Sequence, residues 1–305
     1  MSTRPSDPTA DHSRHPATRG TLFVEDAGVV SHQALAGDQY LLRLTAPRTA
    51  QAARPGSFVH LSCDPALPMR RPMSIMRAGK QDGWIDILYK AHGHGTRLLA
   101  QRREGEALSL IGPIGVPFRL EGYRRRPLLI GGGVGIPPMV FLAEHMKKTK
   151  APVSPLVIMG SEVPFPFQSR PSQILVDGIA EGAIATMPLL EDWGIPCRLA
   201  SLQGYPGCFE GYVTDLARHW LEALPPEERE NVEVFSCGPT PMLKAVARLA
   251  REFGLPCQLS LEEYMACAVG GCAGCAVRVM TEAGPAMKRV CVDGPVFEAA
   301  AVYPA

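Results

Sequence analysis

The sequence predicts an α/β-plus-β protein: a small antiparallel β-barrel, then a Rossmann-like parallel α/β domain, then a small cysteine-rich C-terminal domain. Three observations carry this reading. Short β-branched and aromatic runs separated by turn signals fill residues 21–122, and strand-like and helix-like patterns alternate over 123–254. Four of the nine cysteines then crowd into the last forty residues. A length of 305 residues accommodates two or three such domains.

Residues 1–20 are rich in Pro, Ser, Thr, Asp, His and Arg, with too little apolar surface to offset the entropy of ordering, and are expected to be a disordered tail. In 21–122, Gln39–Thr45, Ser57–Cys63 and Trp84–Lys90 read as strands. Arg54-Pro55-Gly56 and Gln81-Asp82-Gly83 read as the turns between them. After Arg124-Arg125-Arg126 the rhythm changes. Pro127–Ile130 is a short strand, followed by a glycine loop and a helix from about Pro137 to Lys147. Pro155–Met159 and Val232–Cys237 are further strands. Apolar residues at 242, 243, 246, 249, 250 and 253 give Thr240–Phe253 helical spacing, and Gly254 stands where that helix would stop.

Composition narrows the function classes. Lys and Arg total 31 against 30 Asp and Glu, a net charge of +1 that argues against a basic nucleic-acid binder. The most apolar segment, Pro127–Ala143, is interrupted by Gly131, Gly132, Gly133, Gly135, Pro137 and Pro138, which argues against a membrane span. Met1–Gly20 holds no apolar stretch of the kind a secretory signal needs, so a cytoplasmic location is expected. Nine cysteines, an odd number at scattered spacing, disfavour a disulfide framework and point to metal or redox chemistry.

Cys267, Cys272 and Cys275 form C-x4-C-x2-C, and Cys291 follows after fifteen intervening residues. This is the plant-type [2Fe–2S] spacing, in which one tight loop supplies three thiolates and another element supplies the fourth. Gly270, Gly271 and Gly274 let the loop wrap closely. Structural zinc is the alternative, although zinc sites with four cysteines usually use two C-x2–4-C knuckles and only one such pair stands here. A hairpin through Val277–Met280 and the turn Glu282-Ala283-Gly284-Pro285 would return the chain to Cys291.

Gly131-Gly132-Gly133-Val134-Gly135 follows a strand and opens a helix, with Pro137 in the first helical turn, where a missing N–H costs no bond. Such a loop presents backbone amides and a helix N-terminus to an anion such as a dinucleotide pyrophosphate, or is a plain strand–helix turn. Arg71-Pro72-Met73-Ser74 reads as a strand, and Gly93-His94-Gly95-Thr96 as the start of a short helix. Arg71 could pair with a phosphate and Ser74 could donate to a flavin, or Arg71 is a solvated cation. Cys237-Gly238-Pro239 ends a strand at the carboxyl edge of the parallel sheet, either as a site residue or as packing.

Taken together in this order, these motifs resemble the ferredoxin-reductase superfamily. Within it they are most similar to the electron-transfer subunits of NAD-dependent dihydroorotate dehydrogenases. Ser260-Leu-Glu-Glu-Tyr-Met-Ala-Cys267 through Cys275, with Arg289-Val-Cys291-Val-Asp-Gly-Pro-Val-Phe297, carry the most specific part of the likeness. The resemblance implies an FAD-binding barrel over 21–122, an NAD-binding α/β domain over 123–254 and a [2Fe–2S] domain over 255–305. It implies that Arg71, Pro72, Met73 and Ser74 meet the flavin and its phosphate, Met73 through its backbone, and that Gly93, Gly95 and Thr96 meet the FAD pyrophosphate. Gly132, Gly133, Gly135 and Pro137 would line the NAD loop, Cys237 would lie near the nicotinamide as the catalytic-site residue, and Cys267, Cys272, Cys275 and Cys291 would hold the cluster. The implied partner is an FMN-containing dihydroorotate dehydrogenase catalytic subunit, in a heterotetramer serving pyrimidine biosynthesis. A related reductase subunit for another acceptor, or a non-catalytic redox-sensing scaffold, are the other readings. Two departures stand out: Met159-Gly160-Ser161-Glu162 lacks the arginine often found after that strand, and Ser201-Leu202-Gln203-Gly204 replaces an acidic loop.

Overall fold

The computed structural model describes residues 22–150 and 152–304; the tail expected over 1–20 lies outside the described residues. The first half is a seven-stranded antiparallel sheet made of β1 (Phe23–Leu35), β2 (Gln39–Thr45), β3 (Phe58–Leu61), β4 (Arg71–Ser74), β5 (Arg77–Gly79), β6 (Trp84–Lys90) and β7 (Ala107–Ile114). Its order is β4-β3-β7-β1-β2-β6-β5, with short helices α1 (Pro47–Ala52) and α2 (His94–Leu99) between strands. The sheet curls around Leu42, Leu44, Val59, Leu61, Ile75, Ile85, Ile87 and Leu110, all fully buried. β2 and β6 match the sequence expectation residue for residue. β1 did not show in the pattern, because a register shift between Val29 and Ser31 breaks its alternation.

The second half is built on β8 (Arg126–Gly132), α3 (Ile136–Lys148), β9 (Leu156–Gly160), β10 (Arg170–Pro171), β11 (Ala185–Thr186), α4 (Pro188–Asp192), β12 (Cys197–Ser201) and β13 (Phe209–Glu210). It continues through α5 (Val213–Ala223), α6 (Pro226–Arg229), β14 (Val232–Cys237), α7 (Thr240–Glu252) and β15 (Cys257–Ser260). A hairpin of β16 (Ala276–Thr281) and β17 (Gly284–Arg289) follows, then β18 (Val296–Glu298) and α8 (Ala299–Val302). The main sheet has the order β13-β12-β9-β8-β14-β15-β18, parallel except for β18. The chain runs outward from β8 to β12 on one side, then crosses to β14 on the other. The β8/β14 boundary is therefore the topological switch point, where open α/β sheets bind ligands at their carboxyl ends. β15 and β18 come from the C-terminal segment, so the cysteine loop and its hairpin are inserted between two paired strands of the nucleotide-type sheet.

Glu233 on β14 ties the parts together. Its side chain is 1% exposed, pairs with Arg119 and accepts from the Arg124 amide (3.0 Å) and Gln258 Nε2 (3.1 Å). Gln258 Oε1 in turn accepts from the Arg119 amide (2.9 Å). The segment leaving the antiparallel sheet is thus fastened by one buried carboxylate to β14 and β15. Removing it strands the buried Gln258 amide and the half-buried Arg124 N–H, at about 1–3 kcal/mol for a fully buried donor. Glu233→Ala is expected to lower stability by about 2–4 kcal/mol, read as a fall in the urea unfolding midpoint; an unchanged midpoint would show that the network is dispensable.

Candidate functional site

The strand pair β3–β4 sets Phe58 opposite Ser74, Val59 opposite Met73, His60 opposite Pro72 and Leu61 opposite Arg71. Met73 is 7% exposed and belongs to the antiparallel core, which leaves its backbone as the part available to a ligand. Arg71, Pro72 and Ser74 are half-buried. Arg71 Nη1 donates to the carbonyls of Met69 (3.0 Å) and Arg70 (3.1 Å), which fixes the guanidinium and leaves its other edge open. That guanidinium lies over Gly95, where a Cβ would stand 2.9 Å from Arg71 Nε. The two sequence motifs, 71–74 and 93–96, are therefore one site. Thr96 Oγ1 accepts from the Gly93 amide and donates to the Gly93 carbonyl, both 3.1 Å, while the first-turn amides of α2 have no partner within the helix. An arginine edge and unpaired amides facing each other across a glycine suit a phosphate.

At the switch point, β8 ends in Gly132, a tight turn occupies Gly133–Gly135, and α3 begins with Pro137 and Pro138 in its first turn. Gly133 has φ +54, in the left-handed region that favours glycine. A Cβ on Gly135 would stand 2.1 Å from the Cys237 carbonyl oxygen, and one on Gly132 would stand 2.4 Å from Met242 Sδ. The loop lies directly on the end of β14, close enough to offer backbone amides to a pyrophosphate.

Cys237, expected as a site residue, stands at this edge but is 1% exposed. Burial, and secondarily the charge of Glu262, hold its thiol well above the ordinary cysteine range, so it is no thiolate nucleophile. Glu262 is the residue that sequence reasoning missed. It is reached by solvent yet closely walled by protein, and this desolvation lifts its carboxyl above the usual carboxylate range. Ser260 pairs with Cys237 across β15 and β14, and Glu262 follows two residues on. The Ser260-Leu-Glu-Glu run was visible in the sequence, but only the strand pairing brings it to the Cys237 edge.

The cysteine loop is held in unusual backbone geometry. Ala268 and Ala273 both have φ +56, a strained conformation for a residue with a side chain, and Gly270 has φ +83. Arg289 Nη1 donates to the Gly270 carbonyl (2.9 Å) while its amide and Nε reach Asp293 Oδ2 (2.7 and 3.1 Å). One arginine thus pins the loop to the segment carrying Cys291. The Cys272 amide donates to Cys267 Sγ and the Gly274 amide to Cys272 Sγ, both 3.4 Å. Burial works against ionising Cys267, but the amides of Val269, Cys272 and Gly271 and the Cys272 thiol bring it down to about 7. Burial, with the adjacent Cys275 thiol, lifts Cys291 to about 12.

The thiols therefore come as two pairs: Cys267 with Cys272 nearer the surface, and Cys275 with Cys291 buried. Among the described residues no three Cys, His, Asp or Glu side chains converge on a single ion. Two pairs suit the two irons of a [2Fe–2S] cluster better than one tetrahedral zinc. Phe58 and Ile114 of the antiparallel sheet belong to the same extended hydrophobic core as Ala268, Cys275 and Cys291, and the Val116 amide just beyond β7 donates to the Gly294 carbonyl (2.6 Å), so this sheet adjoins the segment that follows Cys291.

Residues 262–303 match the family model described as the iron–sulfur cluster binding domain of dihydroorotate dehydrogenase B. The chain is 32% identical over 278 residues to a dihydroorotate dehydrogenase B (NAD(+)) electron transfer subunit from Desulforamulus reducens, covering 90% of this chain and 96% of that one. A protein of the same description from Bacillus caldolyticus is 35% identical over 280 residues, with 90% and 96% covered. Among solved structures, that of an NADH-dependent reduced ferredoxin-NADP oxidoreductase, described for flavin-based electron bifurcation, matches with a TM-score of 0.71 and 26% identity. The match covers 91% of this chain and 90% of that one.

A methyl group at Gly135 would meet a backbone carbonyl, which cannot rotate aside as a side chain would. Gly135→Ala is expected to cost about 1–3 kcal/mol and to lower the thermal midpoint by several degrees. A wild-type midpoint would mean that the loop can lift off β14 freely.

Proposed function

Because this chain belongs to the family of dihydroorotate dehydrogenase B electron transfer subunits, we propose that it passes electrons between NAD(H), FAD and a [2Fe–2S] cluster, to or from an FMN-containing catalytic subunit that interconverts dihydroorotate and orotate. The partners would form a heterotetramer serving pyrimidine biosynthesis. Nine free thiols support a cytoplasmic location. No helix among the described residues is long and apolar enough to cross a membrane. When bound, the dinucleotide and flavin supply hydride chemistry and the cluster supplies single-electron transfer.

The protein's own part is placement. Arg71 and the amides of Gly95 and Thr96 would hold the FAD phosphates where Gly93 leads into α2, with the Pro72 and Met73 backbone and the Ser74 hydroxyl along the flavin. Gly132, Gly133, Gly135 and Pro137 would let the NAD pyrophosphate approach the start of α3. Cys237 and Glu262 would stand beside the nicotinamide, Cys237 as a buried neutral thiol and Glu262 as an exposed carboxyl at the same edge. Cys267, Cys272, Cys275 and Cys291 would hold the cluster. The observation that carries the reading is the joint between the end of β7 and the segment that follows Cys291, where the Val116 amide donates to the Gly294 carbonyl (2.6 Å) and brings the antiparallel sheet against the chain that carries the fourth thiol. The likeness to the NADH-dependent ferredoxin-NADP oxidoreductase favours a second reading, a related reductase subunit for another acceptor. Purification of the native complex decides between them: a copurifying FMN protein and NADH-linked orotate turnover support the first.

Arg71→Ala removes a charge-assisted phosphate contact worth about 1.5–3 kcal/mol. FAD affinity should fall by roughly one to two orders of magnitude in equilibrium dialysis; unchanged affinity would return Arg71 to the role of a surface cation. Cys291→Ser should separate entry from exit. The fourth thiolate is lost, so iron and acid-labile sulfide should fall sharply while flavin content holds, because Arg71 on β4 and Gly95 on α2 belong to the other half of the chain. Stopped-flow flavin reduction by NADH should then persist while turnover through the partner collapses; survival of both would take the thiol loop off the electron path.

A further inference from the structure

A cleft of about 990 Å³ opens where α3 meets the antiparallel sheet, at the upper end of the size range of sites for organic ligands. Its lining comes from three places. Arg54 and Pro55 precede β3, Lys80 belongs to the β5–β6 turn, and segment 120–125 connects the two sheets. α3 adds Glu144, His145 and Lys148 from its last turns. That helix has thirteen residues, so its last turn stands about 18 Å from the glycine loop at its start. No residue assigned above to flavin, dinucleotide or cluster lines this cleft.

The cations of the cleft are not matched by its acids. Glu144 is neutralised at Oε1 by Arg77 (2.8 Å) and Lys148 (3.1 Å). Asp82 and Glu121 are exposed and enter no ion pair among the described residues. Neither do Arg54, Lys80 and Arg125, which reach the cleft from three separate segments. Arg54 and Lys80 converge on the His145 ring. Burial first, and then these two charges, hold its proton affinity below that of an ordinary histidine, and neither acid stands among the groups acting on that ring. Like charges gathered without a counter-charge favour an anion, and a phosphate has enough charged oxygens to serve cations on different segments. Beside them Leu120, Tyr123 and Val153 are half-buried, which gives the cleft an apolar side suited to a flat ring.

We propose that this cleft is a second ligand site, built for a phosphorylated ring compound of mononucleotide size, whose phosphate meets Arg54, Lys80 and Arg125 while its ring lies against Leu120 and Tyr123. Occupancy ties the β5–β6 turn to the last turns of α3, at the far end of that helix from the dinucleotide edge. The proposal stands apart from the electron-transfer reading, because its test reads binding alone. Uridine monophosphate, a probe whose base occurs in neither FAD nor NAD, is titrated calorimetrically into the full chain, with uridine and inorganic phosphate as controls. Saturating NAD+ is present to fill the dinucleotide edge. Uridine monophosphate should bind at least tenfold more tightly than either control. Arg54→Ala and Lys80→Ala should each weaken it about tenfold, the loss of one charge-assisted contact, and Arg54→Lys should recover part of that loss. Both side chains are exposed, so the variants should keep the wild-type thermal midpoint. The His145 ring resonances should move on addition of the nucleotide to the wild type, and should stay in place at the same concentration when both alanines are present. Phosphate binding as tightly as uridine monophosphate would reduce the cleft to an unspecific anion site. No binding, binding abolished by NAD+, or equal affinity in the wild type and both alanine variants would leave it without this ligand. Each of these results overturns the proposal.

Discussion

The close approach of Gly135 to the end of β14 is the constraint on which the nucleotide edge depends. With a hydrogen in place of a side chain, the first turn of α3 can rest on the Cys237 carbonyl. The helix then starts at the switch point of the sheet, where its unpaired amides face the carboxyl ends of four parallel strands. The Cys237 side chain packs in the core that holds Ile136, Met139 and Phe235, which explains why a cysteine at the ligand edge is buried and neutral. Glu262, two residues beyond Ser260 on the neighbouring strand, stands at the same edge, and desolvation raises its carboxyl above the usual range.

A second constraint works at right angles to the first. β3 has two functional faces: Val59 and Leu61 point into the antiparallel core, while Phe58 joins the core that contains Cys275 and Cys291. One strand of four residues therefore contributes to two cores. Glu233 fixes the connecting segment from the opposite side, and Arg77 reaches Glu144 on α3 (2.8 Å) across the junction. The relative placement of the two sheets is set by packing and by buried polar contacts together, which is what transfer between groups held on different sheets requires.

The parts of the molecule legible in the sequence are those whose chemistry is local. The three loop cysteines lie within nine residues and announce their spacing, and β2, β6, β14 and α7 carry clean periods. The fold class and the four thiol ligands needed no distant contacts to be read. Glu262, Arg289 and the Gly95–Arg71 contact were not legible in the same way, because each acquires its role from a partner 19 or more residues away. The stretch between β9 and β12 was obscure for another reason. Where a long crossover helix would have shown a 3.6-residue period, the chain uses two short bridges, a five-residue helix and proline-rich turns.

The thiol loop and its hairpin leave the main sheet after Ser260 and return at Val296, and those two residues are partners across the β15–β18 ladder. The ends of the excursion are therefore held side by side by the sheet itself. Closing a chain whose ends are already adjacent adds little entropic cost as its length changes. The excursion is, in engineering terms, a cassette. A different electron carrier with neighbouring termini, grafted between Ser260 and Val296, would keep the register of the ladder but would have to restore the apolar surface that Ala268, Cys275 and Cys291 give to the common core. The outlet for electrons is thus exchangeable at one seam in the backbone, and its replacement is constrained by packing rather than by chain connection.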